Sequence, residues 1–442
     1  MPELHTILQK LTFKVMVWHC PLNLKIGHSM CFPGLIPRRL VSPSALILYG
    51  RGIQFGLQLA LVVLLPRLLG PEDFVHYSLV TPLGYLLASI VCGWITGALC
   101  RFAYDFFDPA KAHQQEAAVT YFAWVGVLSL LAFLALRYGF ETPYALVPPL
   151  LFSSSVKGAI LGVLNATYRA REFLFANFAY AVPVAAFLYL CATQAKPDFD
   201  RILLVYIGLE SIVGLLLLAL SRIPFWRLHR FNAQTLRAYA VFGGPLLING
   251  IANWFLSISD RYLLAQSATT EATANYVLSY QLGGSVIAYP AMFYLAIFAP
   301  RALAVEQSSG ISAAMRYVYA QARLFFLMSP VLLAVSAAVV LSFKAYFYPA
   351  YPLDAPTVLI ILSAQLVNVA GHFYYKELEL TGRTLTTTRA LGVAAIVNLG
   401  INVVAIPLLD ALGAALATLV GYAVFTGMMC AFCKPSASWE AP

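Results

Sequence analysis

Charge is what this sequence has least of. Only 11% of its 442 residues are Asp, Glu, Lys or Arg, against about 25% in an ordinary soluble domain. A water-soluble chain of this size needs a charged shell, and this one has too little charge to build it. That excludes a soluble enzyme, a disordered chain and a DNA-binding domain of the usual kind. Catalytic signatures are missing as well. No P-loop occurs, no serine has a plausible base, and no long connection could carry a carboxylate dyad. Six of the seven histidines (His5, His19, His28, His76, His113, His229) fall in the N-terminal tail or at the ends of apolar runs. No nucleophile, cofactor motif or metal pattern emerges, and no enzymatic activity is expected. Cysteine is scarce. Cys20, Cys31, Cys92, Cys100 and Cys191 stand alone, while Cys430 and Cys433 have CxxC spacing without a second pair. They read as packing residues rather than as a redox or zinc site.

What the sequence has is apolar length. Hydrophobic residues make up 61%, and the mean hydropathy is +0.78. A membrane helix needs about 20 apolar residues. Twelve such runs are predicted: 44–66, 74–99, 117–138, 143–168, 173–194, 201–221, 239–262, 274–299, 322–344, 355–378, 385–408 and 411–433. The chain therefore reads as an all-α polytopic membrane protein. Residues 1–43 form a tail with no signal-peptide core. Leu4, Ile7, Leu8, Leu11, Val15 and Trp18 recur at helical spacing there. The tail reads as a loosely ordered extension, or as sequence upstream of a start at Met30. The alternative is an amphipathic helix on the inner leaflet.

The net charge of +9 suggests nucleic acid until it is mapped. The Lys and Arg residues cluster at one set of helix ends. Only Arg67, Arg137, Lys196, Arg201, Arg261 and Lys344 fall at the opposite set, and Arg51 and Lys157 lie within spans. By the positive-inside rule both termini are cytoplasmic. The basic residues orient helices, and no nucleic-acid partner is expected.

Two stretches repeat. GRGI (50–53) matches INGI (248–251), and TYRAREFLFANFAYAV (167–182) matches ELTGRTLTTTRALGVA (379–394) in order and topology. The chain divides into a six-helix lobe at 44–221, a basic linker at 222–238, a second six-helix lobe at 239–433 and a tail at 434–442. Parallel repeats with a site between them are a transporter plan.

Polar residues inside the spans are then the candidate site, because a mid-membrane charge must face protein or water. Arg51, Gln54 and Gln58 share one face of the first span. Asn249, Asn253, Ser257 and Asp260 share one face of the seventh. Gln365, Asn368, His372 and Lys376 form a third stripe. Lys157 and Glu210 lie near the middles of the fourth and sixth spans, and Asn398 and Asn402 pair in the eleventh. Each has a plain alternative. The amides serve as interhelical glue. Asp260 and Arg261 are solvated at the outer interface. Lys376, Glu377 and Glu379 snorkel, and His372 is a satisfied polar residue. Glu210 pairs with Arg51 or Lys157 and makes all three structural. Otherwise Arg51 and Lys157, with amides around them, form a cationic cavity suited to an anionic headgroup bearing a sugar.

PRLLGPEDFVHYSLV (66–80), FGGPLLINGIANWFLSISDRYLL (242–264) and the C-terminal segment 379–420, with its GAALAT tract at 413–418, resemble the polysaccharide exporters. These are the Wzx-type lipid-linked oligosaccharide flippases of the MOP superfamily. The resemblance spans about 44–433. It implies a MATE-like bundle of two lobes with alternating access in a bacterial cytoplasmic (inner) membrane. The implied substrate is an undecaprenyl-pyrophosphate-linked oligosaccharide for surface polysaccharide such as O-antigen or exopolysaccharide. Membrane lipids and a polysaccharide polymerase or chain-length regulator are the implied partners. By helix position Arg51 and Lys157 would hold the diphosphate. Gln54, Gln58, Asn249 and Asn253 would bond the glycan, and Glu210 or Asp260 would carry a coupling ion. The chain departs from the family in a second half poor in mid-membrane cations and in its N-terminal extension. The alternatives are a cation-coupled multidrug exporter of the same superfamily, a membrane polysaccharide polymerase or ligase, and a non-transporting scaffold. A drug site would show buried carboxylates, and a polymerase would show a large external loop.

Overall fold

The computed structural model describes residues 43–101, 112–139, 144–167, 169–193, 199–220, 233–352, 354–381 and 383–433. The N-terminal tail before 43, most of the basic linker and the C-terminal tail lie outside the described residues. Among the described residues every element is helical. The helices are α1 (Pro43–Leu68), α2 (Pro71–Ala88), α3 (Trp94–Arg101), α4 (Ala112–Leu134), α5 (Val147–Ala166), α6 (Ala170–Thr193), α7 (Phe199–Leu220), α8 (Ala233–Ser267), α9 (Thr270–Gly283), α10 (Tyr289–Phe347), α11 (Ala355–Leu380) and α12 (Thr384–Phe432). Short π-helical segments, Ser89–Gly93 and Gly284–Ala288, join α2 to α3 and α9 to α10.

Among the described residues, nine helices are long and apolar enough to cross a membrane, ten when the bent α8 is one span. All twelve predicted spans fall on helix, with two departures. Spans 385–408 and 411–433 share α12 and are separated by a break at Asp410 (φ 47°, ψ −127°). Span 274–299 is helical but is not among the apolar ones. From Thr273 to Gly283 α9 is buried almost all round. A helix enclosed by protein needs no lipid-facing apolar stripe, so Asn275, Ser279 and Gln281 fit there. The seventh span is longer than predicted, because helix begins at Ala233 rather than 239.

Local chemistry explains the turns. Pro71 opens α2, and Glu72 and Asp73 occupy its positive first turn. Gly70 separates the two helices without a left-handed conformation. Its backbone is extended (φ −68°, ψ 168°), and Leu69 N–H closes α1 on the Leu65 carbonyl. Thr269 caps α9 by accepting from Ala272 N–H at 3.2 Å. At the α12 break the requirement for glycine is steric. A Cβ on Gly413 would lie 2.3 Å from the Ala405 carbonyl oxygen.

Within the first lobe α1 packs on α6, α2 on α5, and α5 on α4 and α7. The second lobe repeats the scheme: α8 packs on α12, α9 on α11, and α11 on α10 and α12. Between lobes, α8 runs along α2, the π segment and α3, while α9 meets α1 and α2. Gly243 of α8 allows the closest approach, since a Cβ there would sit 2.1 Å from the Trp94 carbonyl oxygen. Aromatic donors on α8 bond carbonyls of α2, with Trp254 Nε1 on Pro82 at 2.9 Å and Tyr262 on Leu79 at 2.6 Å. Beyond α10, Tyr348 donates to Val63 O at 2.7 Å and Tyr351 to Pro66 O at 2.9 Å. The lobes are thus closed against each other at the end bearing the α1–α2 turn. The outward faces of α4 and α7 carry exposed Trp124, Leu128, Leu131, Ile212 and Leu216, the surface expected against lipid.

Candidate functional site

A cavity of about 440 Å³ opens within the first lobe. Arg51 and Gln54 line it from α1, Tyr85 from α2, Phe173 from α6, and Ser154, Lys157 and Asn165 from α5. Three of the residues singled out in the sequence, Arg51, Gln54 and Lys157, therefore share one chamber. Its floor is the face of α5 that carries Gly158 and Gly162.

Arg51 is exposed, and its guanidinium lies 5.7 Å from the centre of the Phe173 ring. The ring holds the cation by its π face. Among the described residues no carboxylate pairs with Arg51. Lys157 differs. Its Nζ donates to Glu210 Oε1 at 2.8 Å and lies 5.1 Å from the Tyr180 ring centre. Glu210 is only 2% exposed, whereas the Lys157 side chain is 32% exposed. Ser153 donates to Glu210 Oε2 at 2.9 Å and Tyr206 to Oε1 at 3.1 Å. Of the two partners the sequence allowed, Glu210 takes Lys157. Arg51 is left as the uncompensated cation, and the chamber keeps a net positive charge. The Ser154 hydroxyl oxygen is buried beside Lys157 with no hydrogen-bond partner.

The other sequence candidates lie elsewhere. Gln58 is exposed on α1, one turn beyond Gln54, and does not line the chamber. Asn249 and Asn253 belong to α8 in the second lobe. Asn253 is exposed, and the buried Asn249 Oδ1 has no partner. Asp260 and Arg261 are not solvated at an interface, being 1% and 7% exposed. Asp260 accepts from Tyr276, from Thr418 at 3.2 Å and from Arg261 N–H at 2.8 Å. Arg261 sits over the Tyr280 ring at 5.3 Å. The alternative of a solvated pair fails because the end of α8 is enclosed by α9 and α12 rather than by water.

In the third stripe, His372 is held by the Asn368 carbonyl at 2.9 Å. Lys376 and Glu379 pair at 2.5 Å. Glu377 does not snorkel. It is 8% exposed and accepts from Tyr319. Asn402 donates to Asn398 at 3.1 Å, a bond between two buried amides on one helix. Cys433 is buried against the Tyr374 carbonyl and Cys430 is exposed. Among the described residues no group of His, Cys, Asp and Glu could hold a metal ion.

Sequence reasoning missed Lys344, which it placed at the outer helix ends. Lys344 is fully buried and donates to Asn275 and, at 3.1 Å, to Ser279. The i, i+4 spacing of Asn275 and Ser279 was the available signal. It also missed Tyr85, Ser154, Asn165 and Phe173, whose residue types are ordinary until the helices are assembled.

No family model and no curated protein matches the chain. Solved structures do. An inward-facing multidrug resistance MATE family transporter of the MOP superfamily aligns with TM-score 0.64 and 11% identity, over 87% of this chain and 97% of that one. The lipid II flippase MurJ in an inward closed conformation aligns with TM-score 0.59 and 10% identity, over 88% and 87%. A MOP superfamily transporter from Pyrococcus furiosus, described as having a binding pocket of reversed polarity, aligns with TM-score 0.54 and 13% identity, over 88% and 93%. These neighbours are transporters and flippases rather than enzymes. The chain is a multi-helix membrane protein with the fold of the MOP-superfamily transporters.

Proposed function

We propose that this protein is a flippase. It moves a lipid-linked oligosaccharide, carried on polyprenyl pyrophosphate, across a bacterial cytoplasmic membrane during surface polysaccharide synthesis. The observation that carries this reading is the shared chamber of Arg51 and Lys157. Two cations and several neutral donors line it, and the nearby carboxylate is already engaged by Lys157. A cationic drug would meet uncompensated Arg51, whereas a diphosphate would meet a fork of N–H donors and a point charge. Gln54 and Asn165 supply hydrogen bonds suited to a first sugar. Gln58, Asn249 and Asn253 stand outside this chamber and would meet the glycan only after the lobes move.

In this reading both termini are cytoplasmic, and the chamber lies toward the cytoplasmic half of the first lobe. The diphosphate enters from that side while the polyprenyl chain remains in lipid. Rocking of the two lobes about the α2–α8 contact then exposes the chamber outward. A polymerase or chain-length regulator would receive the product.

The test is a clean deletion in the host, complemented with wild type or with Arg51→Ala. Loss of surface polymer with intact repeat units accumulating on the polyprenyl carrier supports the reading, and so does failure of the Arg51→Ala allele to complement. Unchanged polymer together with raised intracellular cationic dye would sink it in favour of a multidrug exporter.

A further inference from the structure

Arg51 is held in the chamber by a ring rather than by an acid. Its guanidinium lies 5.7 Å from the centre of the Phe173 ring, and among the described residues no hydrogen bond engages its N–H groups. The distinction has a chemical consequence. A carboxylate partner would fill the guanidinium fork with two acceptor oxygens and cancel its charge. A π face restrains the cation through its quadrupole and does neither. All five N–H donors remain available to an anion in the chamber.

Phe173 is fixed in turn. It stands in the first turn of α6, where its N–H bonds the Arg169 carbonyl at 2.8 Å and its own carbonyl accepts from Asn177 Nδ2 at 2.7 Å. Its ring is buried in a space that a side chain at position 50 would fill. A Cβ on Gly50 would sit 2.7 Å from Phe173 Cε1, closer than carbon atoms pack. The glycine beside the arginine thus admits the ring that holds it. The second lobe gives an internal comparison. By the repeat, Gly50 corresponds to Ile248, Arg51 to Asn249 and Phe173 to Leu385. The glycine, the cation and the ring are replaced together. Ile248 and Leu385 are both exposed, so neither is seated as Phe173 is. A glycine and a ring present only to pack two helices would have no reason to depart with the cation.

From this geometry we infer that Gly50 and Phe173 are positioning residues for anion binding: the ring, seated in the space the glycine leaves, presents the Arg51 guanidinium to the chamber with its donor fork unoccupied. The inference rests on the flippase reading and deepens it. It assigns recognition to a fork that two phosphate oxygens satisfy, rather than to positive charge alone. Gly50 and Phe173 act on the substrate through Arg51. Without the ring the arginine must be immobilised at the moment of binding, and the affinity falls by that ordering cost.

The experiment uses the full chain in detergent, with farnesyl-diphospho-N-acetylglucosamine as probe and affinity read by calorimetry. Phe173 is replaced by mono-, di- and trifluorinated phenylalanine, which keep the ring's shape and withdraw charge from its face. Affinity should fall stepwise with fluorine number, to a total of about two- to tenfold. Phe173→Leu should reach the same level. Gly50→Ala should do so too, by pushing the ring aside, and should add no further loss when combined with Phe173→Leu. Arg51→Lys keeps the charge without the fork and should lose more than any of these. The thermal midpoint of each variant reports folding. The fluorinated series is nearly isosteric and decides the matter even if the leucine or alanine variant fails to fold. Equal affinity across that series, additive losses in the Gly50→Ala and Phe173→Leu pair, or wild-type affinity in Arg51→Lys would each overturn the inference. The flippase reading survives those outcomes so long as Arg51→Ala fails to bind. No probe binding by wild type, or equal binding by Arg51→Ala, would overturn both.

Discussion

The Tyr351 hydroxyl donates to the Pro66 carbonyl oxygen at 2.9 Å, and so ties the last turn of α1 to the connection between α10 and α11 in the other lobe. Pro66 lies in the final turn of α1, where carbonyls have no partner within the helix. The tyrosine therefore caps a helix and fastens a lobe with one bond. Tyr348 adds a second tie between the lobes at the Val63 carbonyl, one turn earlier, and Phe74 packs edge-on against Tyr351 at 6.1 Å.

Removing both hydroxyls should loosen this end. Each bond is worth about 1 kcal/mol net, so Tyr348→Phe with Tyr351→Phe should shift the open–closed ratio by about 30-fold. Spin labels on Arg67 and Tyr346, both near the latch, would report it as a longer distance population. An unchanged distance distribution would show that packing alone holds the lobes together here.

The α3–α8 crossing should tolerate no side chain at position 243. A Cβ 2.1 Å from the Trp94 carbonyl forces the backbones apart. Gly243→Ala should lower stability by about 1–3 kcal/mol, and Gly243→Val by more, seen as a fall in the thermal midpoint in detergent. Wild-type stability for Gly243→Val would mean that α8 approaches α3 less closely than described.

Lys157 and Glu210 should behave as a unit. Lys157→Met leaves Glu210 buried without its cation and should cost about 3 kcal/mol, the low end for a buried pair because the lysine is partly exposed. Adding Glu210→Leu should recover most of that loss, because two apolar groups replace an ion pair. The double variant should fold and yet bind diphosphate weakly. A coupling energy near zero in this double-mutant cycle would refute the pairing.

Lys344 should be a structural cation. Asn275→Ala leaves its ammonium with Ser279 alone and should cost about 2 kcal/mol. Lys344→Met combined with Asn275→Leu should match or exceed wild-type stability, since buried polar partners replaced together lose little. If the double variant is folded but inactive in the host, Lys344 has a part in transport beyond packing.

How much of the site was legible depends on what carried each signal. Arg51 and Lys157 were visible because charge within a lipid-length apolar run demands an explanation. Glu210 was visible for the same reason, and one of its two possible partners proved to be the pair. Asp260 was visible but its enclosure was not, because hydropathy reports distance along the helix and not what surrounds its end. Lys344 was hidden for the same reason. Tyr85, Ser154, Asn165 and Phe173 carry no signal in isolation, since a tyrosine or serine in a membrane helix is common.

The apolar runs, their lengths and the turn chemistry at Gly70-Pro71 and Thr269 were set by the sequence alone. These are local properties: helix formation in lipid follows from satisfying the backbone within one segment. Helix count, the polar stripes and the two-fold pattern of the chain follow from them. Which stripe residues meet was decided only by tertiary structure. Gln54 reaches the chamber and Gln58 does not, Lys157 meets Glu210, and α9 is enclosed and tolerates Asn275. Such outcomes depend on the rotation and approach of neighbouring helices. Those are fixed by contacts such as Gly243 on Trp94 and Tyr351 on Pro66, which join residues far apart in the chain.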